Sequence, residues 1–446
     1  MSISLPTAGA SARATRSRLP VYVLCWLCLV ADGYDLMTYG ATIPALIGKA
    51  PFHLTPAQAG HIGSIALTGM LAGSLVAGML TDRIGRRRIF VASVAVFSLG
   101  MLLTSVASTL DLFVAFRILT CFGVGGLLPT AVALASEFSN PTSRSRTLGF
   151  VLTGPPVGMV VASFLASRLV PDHGFRPIYA LAGVMLLLVP VLWALLPESP
   201  SFLAARGRHD EAARLRSAYD LETPAAAPST GSLSVLVSRH MVVPTLLIWG
   251  TTFCSLLTVF GITTWLPQVM AKSGYGLGSS IEFLLVYCLG AVIGTVVASQ
   301  VAERVGPKPV VVVGYVTAAV ALLLVATKPS TGLLVVLVML AGFGGFGTQN
   351  ILNDFIARFY PAAARASGLG WALGIGRIGG IVGPTFGAWV ISGANPLTAT
   401  AVAFAITALL GGVVMVLVPR TAPAASEARA TAVLPPHTTT VEESLR

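Results

Sequence analysis

"LVADGYDLMTYG", residues 29–40, sets two aspartates inside a segment that is otherwise apolar from Val21 to Ile47. A membrane-crossing helix needs about 20 such residues. A carboxylate at bilayer depth costs roughly 2.5–3.5 kcal/mol on insertion scales, so Asp32 and Asp35 call for a function. A spacing of three puts both on one helix face, and Tyr39 continues that face. Such a pair can gain and lose a proton as water access alternates. The plainer reading is an ion-pair or packing role inside a helix bundle.

The rest of the chain fits the membrane reading. Of 446 residues, 55% are hydrophobic and 10% charged, with a mean hydropathy of +0.84. Soluble domains carry about 25% charged residues. Only helices or closed barrels satisfy the backbone in hydrocarbon, and long continuous apolar runs favour helices over ten-residue alternation. The net charge of +11 does not indicate nucleic acid, because the basic residues cluster in short loops between apolar runs. The five cysteines all lie in apolar runs and have no metal-ligand spacing. The basic N-terminus followed by an apolar run resembles a signal peptide. The two aspartates and the lack of a small-residue cleavage site instead predict a retained first helix. An excess of Arg over Lys, with much Ala, Val and Gly, suggests a bacterial chain with GC-rich coding.

Twelve apolar spans are predicted, at about 20–47, 58–80, 89–108, 110–135, 145–169, 176–196, 242–270, 279–302, 308–327, 330–357, 362–391 and 395–418. With the N-terminus inside, 21 of the 28 Lys and Arg fall in inside loops and tails and 5 in outside loops. That bias puts both termini in the cytoplasm. The predicted division is a tail at 1–19, a six-helix bundle at 20–196, a cytoplasmic linker at 197–241, a second bundle at 242–418 and a disordered tail at 419–446. Within the linker, His209 to Tyr219 reads as a short surface helix and "TPAAAPSTGS" as a flexible stretch. The halves repeat. "TDRIGRRR" (81–88) matches "AERVGPKP" (302–309) at an offset of 221, and Trp26 and Pro44 match Trp249 and Pro267 at 223. Two parallel six-span halves around a midplane site are a transporter architecture.

"GMLTDRIGRRRIF" (78–90) resembles the signature loop of the major facilitator superfamily, and "PESPSFL" (197–203) resembles a second marker of it. "DGYD" in the first span and "YPAAARASGLGWALGIGRIGGIVGP" (360–384) resemble its aromatic acid/proton symporter branch, the bacterial 4-hydroxybenzoate, protocatechuate and gentisate type of permease. The resemblance covers nearly the whole chain. It implies an all-α membrane protein of twelve helices in two pseudo-symmetric halves. It also implies that the first loop acts as a cytoplasmic latch, through Asp82, Arg83, Gly85, Arg86 and Arg87. Glu137 and Arg144 look like its partners, and Asp82 is placed to cap a helix N-terminus. The second copy, with Glu303 and Arg304, is degraded, because "ERVGPKP" stands where the first reads "DRIGRRR".

Two more charges lie within spans. Arg117 sits about 10 Å into the fourth span, at a depth that permits a pair with Asp35. Arg377 sits midway along the eleventh. Its planar fork matches a carboxylate bidentately, which makes it the expected anchor of an anionic substrate. The alternative partner, Asp354, lies closer to Arg358, one helical turn on. "GIGRIG" (374–379) has the dinucleotide spacing but no preceding strand, so its glycines read as helix packing, like those of "GFGGFG" and "GPPVG". Tyr34, Tyr39, Trp265, Gln349, Asn350, Asn353 and Trp371 complete the substrate-site candidates, the amides because buried amides need partners. His61 reads as interfacial.

The expected function is import of a small aromatic carboxylate with protons, by a monomer in the bacterial inner membrane, with no cofactor beyond the proton gradient, no metal and no nucleic acid. Aromatic selectivity is what the resemblance implies; the residues alone indicate an anionic, proton-linked substrate. A symporter of a non-aromatic organic acid, a proton/drug antiporter and a membrane ligand sensor are the rivals. No nucleophile or metal motif marks an enzyme. Two neighbouring acids also make coupling to two protons the slightly favoured stoichiometry.

Overall fold

The structure, a computed structural model, describes residues 16–47, 51–140, 143–221, 236–361, 364–393 and 395–420. The predicted flexible stretch after Tyr219 and the C-terminal tail fall largely outside them. Among the described residues there is no β-strand. Eleven helical segments among the described residues are long and apolar enough to cross a membrane. A further helix, Arg365–Ile391, supplies the eleventh predicted span, less apolar because of its glycines and Arg377. The fold is therefore twelve membrane helices, with ends within a few residues of those predicted. The surface helix His209–Tyr219 is also present.

Local chemistry explains the boundaries. The second span (Pro56–Ile84) starts with a capping box: the Gln58 amide donates to Thr55 Oγ1, and Gln58 Oε1 accepts from the Thr55 amide. It ends at Gly85, whose φ of +110° turns the chain directly into the third span (Arg86–Val106). Gly306 does the same between the eighth (Leu277–Val305) and ninth (Pro307–Val325) spans, at φ +87°. A β-carbon is disfavoured there, so the repeated loops share a glycine although their charges differ. The fifth span (Arg146–His173) breaks after Val151 and resumes at Gly154, ahead of two prolines that suit a helix start. The tenth (Thr331–Phe359) holds a π-helical turn, Phe343–Gly347, within "GFGGFG". Glycines and paired prolines at these two places let the helices bend.

The described residues of 1–226, 261–289 and 384–400 form one compact unit, and those of 227–260, 290–383 and 401–420 a second. In the first unit, the first span (Leu19–Leu46) crosses the fifth at van der Waals contact. A β-carbon on Gly158 would lie 1.9 Å from the Val30 carbonyl oxygen, and one on Gly33 as close to that of Pro155. The eleventh span meets the second and the seventh within this unit. Ser64 Oγ and Thr385 Oγ1 hydrogen-bond at 2.7 Å, and Trp265 Nε1 donates to the Pro384 carbonyl at 2.8 Å. In the second unit, Gly376 of the eleventh span approaches Thr252 and Gly379 the Phe253 carbonyl, so these two glycines of the G-x-G-x-x-G run serve helix packing, whereas Gly374 faces open space. Large apolar side chains such as Leu75, Met79, Val297 and Trp389 are exposed, as bilayer contact requires.

The repeat extends to side-chain packing. Trp26 stacks on Phe150 with ring centroids 5.9 Å apart, and Trp249 stacks on Trp371 at the same distance. Phe150 and Trp371 are separated by the 221-residue offset.

Gly158→Val is expected to cost stability, because the added carbons meet backbone that cannot move aside. Gly78→Ala, at a position open to space, should be neutral or stabilising by about 0.5–1 kcal/mol. Thermal unfolding in detergent checks this: Gly158→Val should melt well below the wild type and Gly78→Ala should not.

Candidate functional site

The first span brings Asp32 and Asp35 into the interior at 4% and 3% exposure. Arg117 of the fourth span (Leu110–Glu137) reaches Asp35, with Nη1 to Oδ1 at 2.6 Å. This is the pair that their depths in the sequence permitted. The guanidinium carbon lies 5.6 Å from the ring centroids of both Tyr39 and Tyr179. Two π faces thus help to hold a cation that has left water. Cys121, one turn along from Arg117, lies 3.7 Å from its Nη2 and 3.8 Å from Asp35 Oδ2.

The tyrosine hydroxyls fix this cage. Tyr39 donates to the Ala59 carbonyl at 2.5 Å and Tyr34 to the Ile178 carbonyl at 3.0 Å. Tyr179 and Thr42 hydrogen-bond at 3.2 Å. Tyr179 and Cys121 escaped sequence reasoning. Each is a single residue in an apolar run, and only the fold brings it to Arg117. Trp265 is fully buried in the same unit and bonded to the eleventh span at Pro384.

The other candidates lie in the second unit. Arg377 is half-buried within Arg365–Ile391. Gln349 is 4% exposed and donates to Asn353 Oδ1 at 2.8 Å. Its own Oε1 is buried with no acceptor bond made among the described residues. Asn350 is exposed and donates to Thr295 Oγ1 at 3.3 Å. Trp371 is 44% exposed beside Trp249. Asp354 pairs with Arg358 at 2.9 Å, as their spacing predicted. His61 is exposed, in keeping with an interfacial position.

The loop candidates form a second cluster in the first unit. Arg86 makes an ion pair with Glu137. Glu137 Oε2 also accepts from Ser199 Oγ at 2.5 Å. The helix cap expected of Asp82 is supplied instead by Glu198, which accepts from the amide of Arg87 at 3.1 Å and from that of Ser199 at 2.9 Å. Asp82 is exposed and makes no hydrogen bond or ion pair among the described residues. Gly85 is packed so closely that a β-carbon would lie 2.5 Å from Glu198 Oε2. Arg206 donates to the Arg83 carbonyl. "TDRIGRRR" and "PESPSFL" therefore interlock, a link that neither motif reveals alone. Arg144 begins a helix, exposed and away from any ion pair among the described residues. In the second unit Glu303 and Arg304 are likewise exposed without ion pairs among the described residues.

Comparison with known proteins agrees with this architecture. The chain is 31% identical over 416 residues to a benzoate transport protein of Acinetobacter baylyi, covering 89% of each chain. It is 33% identical over 404 residues to a gentisate transporter of Corynebacterium glutamicum, covering 89% of this chain and 87% of that one. The crystal structure of a D-xylose-proton symporter shares its fold with a TM-score of 0.72 at 17% identity, over 91% of this chain and 99% of that one. Residues 25–287 and 280–442 match the sequence profile of the Major Facilitator Superfamily. The chain belongs to the Major Facilitator Superfamily, and it is a multi-pass membrane transporter, not an enzyme.

Proposed function

We propose that this protein imports a small aromatic carboxylate together with a proton, by alternating access, in the bacterial inner membrane, with both termini cytoplasmic. The observation that carries the reading is a pair of buried carboxylates on one helix, with a buried guanidinium bound to one of them. Asp35 is tied to Arg117 at 2.6 Å, and Asp32 lies buried one turn away on the same helix. In this reading Asp32 takes up and releases the proton, while Asp35 balances the guanidinium. That replaces the two-proton preference with one proton per anion.

The aromatic substrate class is supported by relatives named for benzoate and gentisate transport. Arg377 then anchors the substrate carboxylate through its fork. The buried Gln349 Oε1 is an acceptor suited to a ring hydroxyl, and Asn350, Asn353 and Trp371 complete the binding surface. Tyr34, Tyr39 and Trp265 hold the helices around it. Asp82, Arg83, Gly85, Arg86, Arg87, Glu137 and Arg144, with Glu303 and Arg304 in the second copy, form the cytoplasmic gate. The bundles at 20–196 and 242–418 move about the linker at 197–241, each protein acting as a monomer without a cofactor.

Uptake of radiolabelled benzoate, gentisate, 4-hydroxybenzoate and an aliphatic acid such as succinate into expressing cells tests the substrate class. Aromatic acids should accumulate and succinate should not; the reverse selectivity refutes it. Arg377→Lys should lose most of this uptake at normal expression, because a point charge lacks the fork.

The two aspartates should separate in stability. Asp35→Asn leaves a buried guanidinium uncompensated and is expected to cost about 3–5 kcal/mol. Adding Arg117→Gln should recover part of that loss. Asp32→Asn, which keeps the Asp35–Arg117 pair, should melt above Asp35→Asn. Thermal unfolding of the purified variants checks this, and equal melting of Asp32→Asn and Asp35→Asn would remove the distinction.

A further inference from the structure

The loop and the helices after the sixth span (Arg176–Leu195) enclose a cavity of about 1130 Å³ in the first unit. Seven arginines line it, against the two carboxylates of Glu198 and Glu211. Both carboxylates are already engaged. Glu198 accepts from two backbone amides, and Arg208 bonded to Glu211 holds that carboxyl below the usual carboxylate range. Arg87 lies over the Trp193 ring at 5.0 Å, and Arg206 over that of Phe202 at 5.6 Å. Arg16, Arg83, Arg88 and Arg214 line the cavity without a side-chain hydrogen bond or ion pair among the described residues. The cavity thus carries a cationic excess that the protein does not neutralise.

Its other wall is apolar. Ile84, Trp193 and Leu195 line it and are 37%, 53% and 56% exposed. Ile84 ends the second span and Leu195 the sixth, so this wall lies where membrane helices leave hydrocarbon. An exposed indole at that level is an interface anchor. Arginines above an apolar wall suit an anion that carries its own acyl chains, because the headgroup meets guanidinium forks while the chains stay beside the span ends. A soluble metabolite would leave the apolar wall uncovered.

We propose that this cavity is a binding site for a phosphate-bearing anion, supplied as the headgroup of an anionic phospholipid. In the orientation proposed above it faces the cytoplasmic leaflet. The site stands apart from the Asp35–Arg117 cage. A lipid seated there contacts Arg83 and Arg87 of the gate and the helix Pro200–Ala205, and so ties the interlocked motifs to the bilayer.

The test is native mass spectrometry of the full-length protein in detergent, titrated with dioctanoyl phosphatidylglycerol, dioctanoyl phosphatidylcholine or glycerol 3-phosphate. Wild type should retain phosphatidylglycerol in preference to phosphatidylcholine. R88Q/R214Q should retain it at least about fivefold less, and R88K/R214K, which keeps the charges, close to wild type. Both arginines are exposed, so folding is not at stake, and matched melting temperatures check it. Equal retention by wild type and R88Q/R214Q, or no preference for the anionic lipid, overturns the site. Glycerol 3-phosphate binding as tightly as phosphatidylglycerol overturns the lipid assignment in favour of a soluble phosphate compound.

Discussion

The Asp35–Arg117 ion pair is the constraint on which the first bundle depends. Both side chains are removed from water, and each charge would be untenable alone in that interior. Their mutual approach, the two tyrosine faces and the Cys121 sulfur make the arrangement tolerable. The cost is met only if the first and fourth spans hold a fixed depth relative to one another. That same fixity separates the roles of the two acids. One carboxylate is committed to a cation, and in the proposed cycle the neighbouring one, a turn away on the same helix, carries the proton.

Packing and charge follow different rules across the repeat. The glycines at 85 and 306 and the aromatic stacks Trp26–Phe150 and Trp249–Trp371 recur in both halves. The charges do not. At the offsets that align the halves, Ser255, Thr258 and Val338 occupy the positions of Asp32, Asp35 and Arg117. The scaffold is duplicated, whereas the buried Asp32, Asp35 and Arg117 are confined to the first half and Arg377 to the second. The latch follows the same pattern. Arg86 pairs with Glu137 in the first copy, where Pro307 and Arg358 stand at the matching positions of the second.

Much of this was legible in the sequence. Membrane helices are encoded by continuous apolar length, which is why all twelve spans could be drawn to within a few residues. Buried charges are legible for a related reason: Asp32, Asp35, Arg117 and Arg377 stand out because hydrocarbon penalises them. Depth along the helices even permitted the pairing of Arg117 with Asp35. What stayed hidden depends on contacts between distant spans. Tyr179 looks like any aromatic in a span until its ring is set against Arg117. Glu198 gave no sign that it, rather than Asp82, caps the third span, because that depends on where the chain returns 111 residues later. Trp265 reads as a pocket aromatic from its position, yet its indole is used to bond Pro384.

The central claim is that Asp35 is committed to Arg117 and that Asp32 alone cycles a proton. A monoanion moved with one proton is electroneutral, whereas with two it gains about 2.3 kcal/mol per 100 mV of inside-negative potential. The direct measurement is gentisate uptake into proteoliposomes in which the pH gradient and a potassium-diffusion potential are imposed separately. The account predicts accumulation driven by an inward proton gradient and no accumulation driven by an inside-negative potential alone. Uptake driven by the potential without a pH gradient would contradict it, because a second proton requires Asp35 to leave Arg117.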